Sequence, residues 1–108
     1  MYAHLFDDKG EKIPNTIIIL NDEEEGADML LVGRNVIAAY FPEFGGLFLF
    51  KGFGGHIEYL KQFLVLIGLD DESNLELIKT EAEWANYLSQ YHMVEYVEQE
   101  CVYGRMFQ

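Results

Sequence analysis

"FLFKGFGGHIEYLKQFL", residues 48–64, joins an aromatic and aliphatic run, a cluster of glycines and an amphipathic stretch. One reading is a strand, a phosphate-cradling turn and a helix, as in a nucleotide enzyme. The other is a close corner between a buried strand and a buried helix, which glycine permits because it carries no Cβ. A dinucleotide fingerprint needs G-x-G-x-x-G between strand and helix, with an acidic residue about twenty positions later. Gly52 and Gly54 supply the first two glycines, but Ile57 stands where the third belongs. No Gly-Lys-Ser/Thr follows to make a P-loop. The corner is therefore preferred. The alternative is a ligand- or nucleotide-binding module or small enzyme that uses the turn from Gly52 to His56. Lys51 would lie nearby, and His56 would serve as acid or base.

Working outward, "HIEYLKQFLVLIGLDD" is a helix. Ile57, Leu60, Leu64 and Ile67 form one stripe, and Glu58, Lys61 and Gln62 collect opposite it. Gly68 is placed to end it in the left-handed conformation. "NLELIK" alternates and reads as a strand. "TEAEWANYLSQYH" opens with Thr80 and Glu83 in a capping box, and Trp84, Tyr87, Leu88 and Tyr91 follow helical spacing. The tail "MVEYVEQECVYGRMF" reads as a final strand with room for a bulge, the alternative being that the preceding helix runs on through Val94 and Val97.

Before the aromatic run, "MYAHLF" and "TIIIL" flank a turn-forming "DDKGEKIPN" and suggest a hairpin. "MLLVGRNVIAAYF" admits two readings, a hairpin about Gly33 or a helix through Met29, Val32, Val36, Ile37 and Tyr40. The central glycine and the β-branched residues after it favour the hairpin. The whole predicts an α+β fold, a largely antiparallel sheet with two helices packed on one face. Residues 1–108 form a single domain, with enough apolar material, at 50%, to build a core without disulfide or metal staples.

The net charge of −12 disfavours nucleic acid and anionic membranes as partners, since both are held through Lys and Arg. It favours a basic protein. A single cysteine, Cys101, permits no internal disulfide. The first residues lack a secretory pattern, and no apolar run is long enough to span a bilayer. A cytoplasmic protein is expected.

Candidate chemistry is sparse. "NDEEEGAD" matches an EF-hand register at Asn21, Glu23, Glu25 and Gly26, but position twelve is Val32 instead of a bidentate Glu. His4, His56 and His92 share no ligand spacing with Cys101 or with each other, so no metal is assigned. Ser73 and Ser89 lack a nucleophile-elbow context. Phe41, Phe44, Phe48, Phe50 and Phe53 could stack bases only beside a basic groove, so core packing explains them better. No catalytic residue and no cofactor are assigned.

The chemistry that remains is negative surface. An inhibitor of the immunity-protein type, from a bacterium or phage, covers the positive working face of a partner such as a nuclease toxin. Complementary charge speeds and directs that encounter. The carboxylates expected to do this are Asp22, Glu23, Glu24, Glu25 and Asp28 in one cluster, and Asp70, Asp71 and Glu72 in another. The competing reading is that the acidity serves solubility alone.

Overall fold

Short β-branched and aromatic runs, punctuated by glycine, asparagine and proline, make the strands of the first half. Longer runs with helical periodicity make the helices of the second, before the chain returns to strand. The computed structural model describes residues 1–21, 26–91 and 93–104. Five strands come first: β1 (Tyr2–Ala3), β2 (Thr16–Ile19), β3 (Asp28–Val32), β4 (Asn35–Phe41) and β5 (Gly46–Phe50). A 3₁₀ turn, Phe53–His56, leads into α1 (Ile57–Leu66), followed by α2 (Glu72–Leu75) and α3 (Glu81–Tyr91). The strands β6 (Met93–Val97) and β7 (Cys101–Val102) complete the order. The fold is α+β, as the sequence predicts.

The sheet runs β1-β2-β3-β4-β5-β6, antiparallel throughout except for β5 and β6, which are parallel. A parallel pair needs a long crossover, and all three helices lie in it. The hairpin reading of residues 29–41 holds, with Val32 opposite Asn35 and Gly33 at φ 63° in the turn. Leu30 opposes Ala38 while Leu31 opposes Val36, which leaves Ile37 as a bulge. The bulge turns Ile37 and Ala38 onto the same side, into the main core. The tail forms two strands where one was expected. After β6 the chain steps across, and β7 pairs with Asn35 and Val36, the part of β4 that β5 leaves free.

The main core lies between one sheet face and the helices. Leu30, Ile37, Leu47 and Leu49 meet Leu60, Phe63 and Leu64 of α1, Leu75 of α2, and Trp84 and Leu88 of α3. The other sheet face holds a second cluster, Ala27, Met29, Leu31, Val36 and Ala39, flanked by Ile17, Ile19, Phe41, Phe50 and Cys101. Strands apolar on both faces read as near-continuous hydrophobic runs, which accounts for "TIII" and "MLLV".

Helix ends follow local rules. Gly68, at φ 79°, closes α1: its N–H reaches the Val65 carbonyl at 3.1 Å and the Leu69 N–H reaches Leu64 at 3.0 Å. Thr80 Oγ1 accepts from the Glu83 N–H at 3.1 Å, which is the Thr80 half of the expected capping box, while the Glu83 carboxylate accepts from the Thr80 hydroxyl at 3.0 Å.

Two expectations are corrected. "NLELIK" is not a strand: it begins in α2 and continues as a turn, with Leu75 and Ile78 buried and Leu77 79% exposed. Asp71 accepts from the Asn74 N–H at 2.9 Å, and that cap overrides the apolar alternation. On α1, Lys61 is buried instead of facing water, while Val65 and Leu66 are 40% and 48% exposed. The outward stripe of the helix is thus more apolar than its charged positions suggest.

Candidate functional site

A turn, a clamp and two helices build an open groove of about 790 Å³ between residues 4–13, α1 and α2. The turn comes first. Asp7 Oδ1 accepts from the N–H groups of Lys9 and Glu11, each at 2.9 Å, and Gly10 turns the chain at φ 80°. The clamp follows. The Gln62 side-chain amide pairs with both backbone groups of Phe6, accepting from its N–H at 3.0 Å and donating to its carbonyl at 2.7 Å. A side-chain amide offers a donor and an acceptor side by side, as a neighbouring strand would. This pair fastens the N-terminal segment to α1 across fifty-six positions of sequence.

Apolar and acidic residues line the groove together. Phe6, Tyr59, Val65, Leu66 and Leu75 supply the apolar part. Five carboxylates also line it, those of Asp7, Asp8, Glu58, Glu72 and Glu76, against Lys61 and Lys79. The Lys61 ammonium is 3.0 Å from Glu58 Oε1, so its charge is already countered. The local balance is negative.

The sequence-predicted acids meet different fates. Asp22, Glu23, Glu24 and Glu25 lie outside the described residues, as does His92. Asp28 is half-buried and accepts from the Asn21 N–H at 3.0 Å across the base of the β2–β3 connection. Asp70 accepts from Asn74 Nδ2 at 2.9 Å and from the Asp71 N–H at 2.7 Å. Asp71 caps α2; the Asn74 N–H, then the Ser73 hydroxyl, hold its carboxyl below the ordinary value. Glu72 reaches the groove, whereas Asp70 and Asp71 do not line it. Reasoning from charge runs missed Asp7, Asp8, Glu58 and Glu76, because they come from separate segments. The one local signal was Phe6 next to Asp7 and Asp8.

The glycine turn lines a second open groove, of about 880 Å³, with α3 and β6. Gly52, at φ 97°, makes the corner after β5. Lys51 lines this groove, but so do Glu81 and Glu98. A Cβ at Gly54 would run into the Glu81 carboxylate, so an acid already lies against the turn. Burial first, and the Glu81 charge second, push the neighbouring Tyr96 phenol up. His56 is not part of this groove: it stacks on Tyr59, rings 5.4 Å apart. An anion here would lie among Glu81 and Glu98 as well as Lys51, without His56.

Burial pushes the Cys101 thiol up, which disfavours the thiolate needed of a nucleophile. Among the described residues, no group of three or more His, Cys, Asp or Glu side chains is arranged to hold a metal ion. Among them, too, no helix is long and apolar enough to cross a membrane. Compared with protein-family models, curated proteins and solved structures, the chain matches none.

Proposed function

We propose that this chain is a small acidic protein-binding domain, a stoichiometric inhibitor of the immunity-protein type. It covers the basic face of a partner such as a nuclease toxin. The observation that carries this reading is the groove between residues 4–13, α1 and α2, which five acidic residues line together with exposed Phe6, Val65 and Leu66. Exposed apolar side chains set among charges are the usual makings of a protein interface, with a dry centre and a polar rim. The net charge of −12 acts at longer range, drawing a cationic partner in and repelling other copies of the chain. On this reading Glu72 contributes directly, while Asp70 and Asp71 add to the field from beside α2.

The test is to capture the partner from the source cells and measure its association with the chain at several salt concentrations. A basic protein, inhibited at one-to-one stoichiometry, is expected. Its association rate should fall steeply with salt, and the Glu72→Lys/Glu76→Lys variant should bind about tenfold more slowly at low salt. A rate unmoved by both salt and charge reversal would remove the basis for the proposal.

A further inference from the structure

Resting on that reading, we infer that the groove seats a cationic amphipathic segment of the partner, apolar side chains inward and Lys or Arg outward. Charge coverage alone needs only a flat acidic surface. Here acidic residues share the lining of an open recess of about 790 Å³ with exposed apolar side chains. Phe6, Val65 and Leu66 are 46%, 40% and 48% exposed, and all three line that recess. Val65 and Leu66 occupy consecutive positions on α1. Phe6 is brought to them from the N-terminal segment by the Gln62 clamp on the next turn of the same helix.

The charges choose the occupant. Asp8 comes from the N-terminal turn, Glu72 from the start of α2 and Glu76 from just past its end, and all three line the recess. The Lys61 charge is met by Glu58, which leaves Lys79 opposed by an excess of carboxylates. An acidic or neutral apolar segment would bury that excess without compensation, whereas Lys and Arg flanking an apolar anchor would pair with it. A segment laid into a groove through spaced apolar anchors is an established mode of recognition.

The experiment uses the full chain and three synthetic peptides of equal length. One carries Leu at helical spacing among Lys, one has every Leu replaced by Ser, and one has every Lys replaced by Glu. Calorimetry gives affinities, and amide NMR shifts locate binding. The Leu/Lys peptide should bind at least tenfold more tightly than the Ser/Lys peptide, with shifts centred on Phe6, Val65 and Leu66. The Leu/Glu peptide should not bind. Leu66→Ser should bring the Leu/Lys affinity down to that of the Ser/Lys peptide and leave the latter unchanged. Val65→Thr, a milder change at an exposed site, should lower it part of the way.

Equal, salt-sensitive binding of both Lys peptides would overturn the groove inference while leaving the acidic-inhibitor reading standing. So would shifts centred on another surface, such as Phe44 beside Phe41 and Phe48. If neither Lys peptide binds and charge reversal leaves partner association unchanged, both readings fall.

Discussion

At the scale of single residues, Gln62 does more for the groove than any of the acids around it. Its amide closes two hydrogen bonds to Phe6, at 3.0 and 2.7 Å, and so decides where the N-terminal segment lies against α1. Both bonds are exposed, so water replaces part of what is lost when they break. Gln62→Ala should therefore cost only about 1 kcal/mol in a denaturant titration. It should also speed hydrogen exchange at the Phe6 amide while leaving α3 unaffected. Uniform loss of protection would mean that Gln62 supports the whole core, and an unchanged Phe6 amide would mean that the clamp is idle. Nothing near position 62 in the sequence advertises this role. A glutamine among Glu58 and Lys61 on a helix reads as a solvated residue, because its partner is far away along the chain.

At the scale of elements, α2 shows how a cap outweighs a pattern. Leu75 and Leu77 alternate about Glu76 as a strand would, yet the Asp71 carboxylate satisfies the Asn74 N–H and starts a helical turn. The Asn74 N–H bond and the Ser73 hydroxyl lower the Asp71 pKa in the folded protein. A lowered folded pKa means that the unfolded chain binds the proton more readily. Its stabilising effect is then complete above the ordinary carboxylate range and disappears as pH falls through the depressed value. Asparagine caps helices without titrating. Thermal melts of the wild type and Asp71→Asn should therefore differ most near neutral pH and converge on acidification. A gap that widens in acid would show that the carboxylate is not the capping species. By contrast, the Gly68 stop and the Thr80 cap on the Glu83 N–H were legible beforehand, because every group involved lies within a few residues.

At the scale of the whole molecule, the formal charge of −12 sits on a fold stabilised by two apolar clusters, one on each face of the sheet. Mutual repulsion among carboxylates opposes compaction, and salt screens it. Raising sodium chloride from about 0.01 M to about 1 M shortens the screening length from about 30 Å to about 3 Å and should raise the melting temperature. A fall would mean that favourable ion pairs outweigh repulsion. The same screening weakens attraction to a cationic partner, so salt should stabilise the chain while it slows capture. The sheet edges are guarded as well. β1 is only two residues long, and β6 carries Glu95, whose side chain is exposed.

What the residues determined by themselves is local or global, with little between. Apolar runs, turn glycines and caps specified an α+β chain that opens with strands and returns to a strand after its helices, and composition specified its acidity. Tertiary structure alone decided which acids share a recess, that Lys61 turns inward and Leu66 outward, and that Glu81 lies against the glycine turn. The physical reason is separation along the chain. A cap or a left-handed glycine is satisfied by its near neighbours, so its signal survives in one dimension. The groove brings together residue 6, residue 62 and residue 76, and only the packing of α1 and α2 against the sheet makes them neighbours.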